Sequence, residues 1–171
     1  LGVGSRSKGT HVFIEIADKI KRYRASYSPE FYLVGHITDS SLKVSPSVMV
    51  QSANNCPLTQ AEYHNATANL DFALFFHRPH HYRYSTSAAF FDALALAKPI
   101  IARRNPLFNY YFELLGDIGY LCDTDDEIES RILFLLNNPS IEDYKKKQQR
   151  MIDGHELLNL KHVAIQIKDI W

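Results

Sequence analysis

Two cations, Arg6 and Lys8, are held between glycines in the stretch Gly4-Ser5-Arg6-Ser7-Lys8-Gly9-Thr10. Glycine lets a backbone turn sharply and approach a ligand closely. A turn of this kind between a strand and a helix aims the N–H groups and positive dipole end of the helix start at the point both cations can reach, which suits an anion of phosphate type. The same residues also suit a plain turn with solvated basic side chains, and a short glycine pattern does not separate the two. Other phosphate loops fit less well. A Walker A loop needs its lysine after the second glycine, whereas Lys8 precedes Gly9. A dinucleotide fingerprint needs a third glycine and an acidic residue closing the second strand, whereas Arg6 and Ser7 follow Gly4 and the second strand closes Val34-Gly35-His36. A nicotinamide-dependent enzyme therefore stays only as an outside alternative.

The second cluster is His77-Arg78-Pro79-His80-His81-Tyr82-Arg83-Tyr84-Ser85-Thr86-Ser87. Ser85, Thr86 and Ser87 put three hydroxyls at a helix start, another seat for an anion, although simple helix capping would use the same residues. His77, His80 and His81 come without cysteine or carboxylate at metal-ligand spacing, so no metal is expected. His81 could carry a proton near neutral pH. Tyr82 and Tyr84 could stack on a sugar or pack on the loop.

These two loops need a scaffold that brings them together. Short apolar runs at Leu1–Val3, Phe31–Val34, Val48–Val50, Phe72–Phe76, Ile100–Ala102 and Gly119–Cys122 alternate with helical patterns, as in βαβ units. Val12, Phe13, Ile16, Ala17 and Ile20 repeat at helical spacing and predict a helix from about Gly9 to Arg22 with one face on the sheet. Thr59 with Glu62, and Thr124 with Glu127, match capping boxes. The expected fold is α/β: a doubly wound, Rossmann-like, three-layer domain with a mostly parallel sheet of about six strands. In such a sheet, ligands bind outside the carboxyl ends of the strands, where the two loops would face each other across the switch point.

Residues 1–139 read as this domain, and 140–171 as its helical C-terminal extension. There Lys145-Lys146-Lys147 reads as a solvated helix face rather than a membrane patch, and Leu157–Ile170 as a last apolar helix. The opening Leu1-Gly2-Val3-Gly4, already the end of a strand, suggests a piece of a longer protein.

Composition narrows the function classes. The 171 residues carry 19 Lys and Arg against 19 Asp and Glu, so no overall field draws nucleic acid or an anionic bilayer, and any bound anion must be met locally. The two cysteines, Cys56 and Cys122, lie far apart in sequence and suggest buried thiols in a reducing compartment, read as the cytoplasm. No apolar run reaches the roughly 18 residues of a spanning helix, so membrane association is not indicated.

The order of features resembles the C-terminal, donor-binding domain of GT-B glycosyltransferases, especially the retaining, glycogen-synthase-like group. The resemblance runs from Gly2 to about Pro139. It rests on Gly4-x-Arg6-x-Lys8-Gly9, Phe31-Tyr32-Leu33-Val34-Gly35, Leu58-Thr59-x-x-Glu62-Tyr63, Leu70-Asp71-Phe72-Ala73-Leu74 and, most specifically, the stretch from Asp92 through Lys98-Pro99 to Ala102. It implies a hexosyltransferase-type enzyme binding a UDP or GDP sugar without cofactor or metal, its acceptor held by an N-terminal domain of the same parent chain. Arg6 and Lys8 would stabilise the diphosphate leaving group in catalysis, Gly4 would let it approach, and Ser85, Thr86 and Ser87 would add hydroxyls and N–H groups to it. Asp92, where the family has glutamate, would accept from the ribose, and the base would lie near the Gln51–Leu58 loop. Tyr84 stands where the family's first glutamate is placed, and His81 and Tyr84 fall among the donor contacts. These departures keep a second reading open, a noncatalytic nucleotide- or sugar-phosphate-binding module derived from a transferase.

Overall fold

The computed structural model describes residues 1–23, 28–78 and 86–159. Five short strands and six α-helices alternate: α1 (Thr10–Arg22), β1 (Phe31–Leu33), β2 (Val48–Val50), α2 (Gln60–Ala68), β3 (Ala73–Phe75), α3 (Ala88–Ala95), β4 (Ile100–Arg103), α4 (Pro106–Leu115), β5 (Gly119–Cys122), α5 (Asp125–Asn137) and α6 (Ile141–Leu157). Among the described residues all strand pairs are parallel, β3-β4 and β4-β5 across intervening helices and β1-β2 across a loop, and they form two ladders, β1-β2 and β3-β4-β5.

The six-strand sheet expected above is thus corrected to five strands in two ladders. Leu1–Val3 does not become a full strand because Gly2 turns it with φ at 80°, outside extended geometry. The segment still runs beside β1: Gly2 N–H donates to Val34, Gly4 N–H to His36 and Thr38 N–H to Gly4, with a parallel bridge between Gly4 and Ile37.

Alternation along β4 explains how helices cover both sides of the larger ladder. Ile101 points into a core with α1 (Ile14, Ile16, Ala17, Ile20) and α5 (Ile128, Ile132). Ile100 and Ala102 point the other way, onto α3 (Phe90, Ala93, Leu94), α4 (Leu107, Phe108, Leu115) and Met151 of α6. The period of two in the strand and the apolar stripe of each helix make this packing possible.

The C-terminal extension differs from its expected reading. Its described part holds α6, in which Lys147 is buried, its ammonium 2.9 Å from Asp117 and 2.8 Å from Asp143. Lys145 and Lys146 stay on the solvated face. The expected helix over Leu157–Ile170 falls largely outside the described residues. Of the caps, Thr59 and Glu62 form the reciprocal box, whereas Glu127 accepts from Asp123 N–H instead of returning a bond to Thr124. Cys122 is buried, but Cys56 is exposed, because it lies in the loop between β2 and α2.

Candidate functional site

The Gly4–Thr10 loop is wound tightly on itself. Arg6–Lys8 form a 3-10 turn, in which Ser5 carbonyl accepts from Lys8 N–H at 3.2 Å and Thr10 N–H at 3.1 Å, Gly9 N–H donates to Arg6, and Ser5 N–H donates to Thr10 Oγ1 at 3.0 Å. Gly9 is required at the corner: its φ is 79°, and a Cβ there would stand 2.5 Å from the Phe76 carbonyl oxygen. The loop is thereby pressed onto the carboxyl end of β3.

The two cations part company. Arg6 turns to the segment after β1, its Nε donating to Ser41 Oγ at 3.0 Å and its backbone N–H to Asp39 at 3.3 Å. The Ser41 hydroxyl, followed by the N–H groups of Ser41 and Arg6, holds the Asp39 carboxyl below the usual range. Lys8 is half-buried and makes no hydrogen bond or ion pair among the described residues, whereas the exposed Arg6 guanidinium is held by the neutral Ser41 hydroxyl. The backbone N–H groups of Arg6, Lys8, Gly9 and Thr10 are all engaged. An anion at this loop would therefore depend on Lys8 more than on loop amides.

The second loop begins beside the first, and its far end lies beside the Leu1–Val3 segment that leads into the first. It leaves β3 through Phe76, against Gly9, and His77, buried and stacked on Phe75 at 6.0 Å. It enters α3 where Gly2 faces Ala89, a Cβ on Gly2 falling 3.8 Å from that methyl. His81, Tyr84 and Ser85 lie outside the described residues. Thr86 is exposed, while Ser87 is buried at the N-cap of α3 with no side-chain cap bond, so simple capping does not occupy its hydroxyl.

Asp92, one turn into α3, faces α2. Burial, and after it the Asp92 carboxylate, pushes the Tyr63 hydroxyl well above the ordinary phenol range.

Beside the base-binding segment expected at Gln51–Leu58, the Asn55 carboxamide closes a two-bond clamp on Ile37, accepting from its N–H and donating to its carbonyl, each at 2.6 Å. A hollow of about 440 Å³ opens there between Thr38, Asp39, Val50 and Ser52. Sequence reasoning missed this clamp, because its partners are distant in the chain. It also missed a cavity of about 850 Å³ between the two ladders, bounded by Leu1–Gly4 on one side and β3 on the other, with Lys8, Thr10 and His77 among its lining residues. Apolar runs showed that these segments are internal but not that they stand apart.

Among the described residues no group of three or more His, Cys, Asp or Glu side chains could hold a metal ion, and no helix is long and apolar enough to cross a membrane. Compared with models of known families the chain matches none, and comparison with curated proteins gives no match.

Proposed function

We propose that this chain is the donor-binding part of a glycosyltransferase of the GT-B kind, seating the diphosphate of a nucleotide sugar for transfer to an acceptor on an N-terminal domain of the parent chain. The observation that carries this reading is the seating of the first loop on the start of the second, Gly9 on Phe76. It is supported by the Lys8 ammonium, which has no partner among the described residues, and by the Ser87 hydroxyl at the α3 start, which makes no cap bond. The finer architecture belongs to the same reading: strand order β2, β1, Leu1–Gly4, β3, β4, β5, doubly wound and Rossmann-like, with the switch point between Leu1–Gly4 and β3. Such a switch point is where open α/β sheets take nucleotides.

In this role Lys8 acts by charge. The negative charge on the leaving diphosphate grows as the glycosidic bond breaks, so a cation fixed beside it lowers the barrier more than it tightens ground-state binding. Asp92 would accept from the ribose, and the hollow by Asn55 would take the base. Calorimetric titration with UDP, GDP and ADP tests the assignment.

A second reading, a binding module without transfer activity, is favoured by one specific observation. Arg6, the other cation the resemblance places on the diphosphate, turns its guanidinium to the Ser41 hydroxyl while its backbone N–H bonds Asp39. Sugar transfer by the full parent chain, measured with a radiolabelled donor, separates the two.

A further inference from the structure

The cavity between the ladders is larger than donor binding at the loops requires, and its character is different. Protein interiors are packed with few voids larger than a water molecule. Here about 850 Å³ lies between Leu1–Gly4 and β3. Its walls include Phe13, Leu74, Tyr120, Leu135 and Leu136, all adjoining the α1–α5 core and yet only partly buried, because one side of each faces this space. Apolar surface left wet costs about 25 cal/mol per Å², so an apolar occupant would be favoured there. Volume and lining both match those of small-molecule sites, which are mostly apolar with a few placed polar groups.

Charge gives the cavity a direction. At the carboxyl end of β3 the lining includes Lys8 with Thr10, and at the amino ends of β1 and β3 it includes Glu30 and Asp71. An anionic group is attracted to the first end and repelled from the second. We infer that the cavity takes the hydrocarbon chain of an amphiphile whose phosphate head rests at Lys8. This rests on the proposed donor site only in sharing Lys8, so such a ligand and a nucleoside diphosphate would compete for one cation.

The test is calorimetric titration of the chain with decyl phosphate below its micelle concentration, with 1-decanol as the headless probe and UDP as the competitor. Decyl phosphate should bind once per chain. Leu74→Trp, which fills the space, should weaken decyl phosphate and decanol alike by roughly tenfold or more, and leave UDP binding unchanged. Lys8→Ala should weaken decyl phosphate and spare decanol. Should Leu74→Trp lose its far-UV circular dichroism, Leu135→Phe, also in the lining, takes its place. Absence of saturable binding by either amphiphile, or binding that filling the cavity leaves unchanged, overturns the inference. UDP binding that survives while decyl phosphate fails sinks this inference alone; the reverse result sinks the donor reading alone.

Discussion

Gly9 and Phe76 touch backbone to backbone across 67 positions of sequence, so closely that no side chain could be inserted between them: a Cβ on Gly9 would meet the Phe76 carbonyl oxygen at 2.5 Å. This contact fixes the basic loop to the carboxyl end of β3, and the placement of Lys8 follows from it. Gly9→Ala adds both a left-handed alanine and this clash. We expect it to cost about 1–3 kcal/mol of stability or more, measured by urea unfolding, and to weaken diphosphate binding in whatever fraction remains folded.

Lys147 anchors α6. Burial opposes its charge, but hydrogen bonds to Asp143 and Asp117 outweigh that and hold the ammonium above its ordinary pKa. Its side chain is 4% exposed, whereas Asp117 and Asp143 are 62% and 43% exposed. Lys147→Ala should therefore cost about 2–3 kcal/mol, less than the 3–5 typical when a fully buried partner is stranded, because the two carboxylates can regain water. Thermal unfolding checks this.

The same cluster sets a pH dependence. Hydrogen bonds from Lys147 and then Tyr120 hold Asp143 below its ordinary value of 3.8. A depressed carboxyl stabilises the fold above its unfolded pKa, and the contribution is lost as pH falls through the lower folded value. Stability of the wild type should thus decline below about pH 4, and Asp143→Asn should flatten that decline. An acid titration followed by far-UV circular dichroism that is the same for both proteins would contradict the assignment.

Tyr63 and Asp92 offer a spectroscopic handle on α3. Because burial and the neighbouring carboxylate disfavour its phenolate, Tyr63 should ionise above the ordinary phenol range in an ultraviolet pH titration. Asp92→Asn should bring its transition down. If the ribose of a bound nucleotide takes Asp92, saturating UDP should move the Tyr63 transition as well.

Much of the scaffold was readable from local pattern. Thr59 and Glu62, three residues apart, form the box their spacing predicts, and the stripe from Val12 to Ile20 becomes the buried face of α1. What failed depended on distance. Lys145-Lys146-Lys147 reads as one solvated run, yet Asp117, thirty residues away in sequence, draws the third lysine inward. Arg6 and Lys8 look equivalent in the loop, but Ser41, 35 residues away in sequence, takes one of them. Leu1–Val3 has strand composition, and only the left-handed Gly2 keeps it from joining a ladder. A one-dimensional pattern records the propensity of each segment; it does not record which partner competes for it.

The difference between the cations becomes a direct comparison. With Arg6 bonded to Ser41 and Asp39, Arg6→Ala should weaken nucleoside diphosphate binding less than Lys8→Ala. The expected gap is about 1–2 kcal/mol, the difference between a charge-assisted hydrogen bond to ligand and a distant, solvent-screened charge. Equal losses would mean that Arg6 leaves Ser41 when ligand binds.

The central claim, that the Lys8 loop and the α3 start together hold a pyrophosphate, is tested most directly by calorimetric titration of UDP, GDP and ADP into wild type and Lys8→Ala, with inorganic phosphate as reference. At least one nucleoside diphosphate should bind wild type far more tightly than phosphate does, and Lys8→Ala should lose about 2 kcal/mol or more of that affinity. Three nucleotides binding no better than phosphate, or affinity untouched by Lys8→Ala, would contradict it.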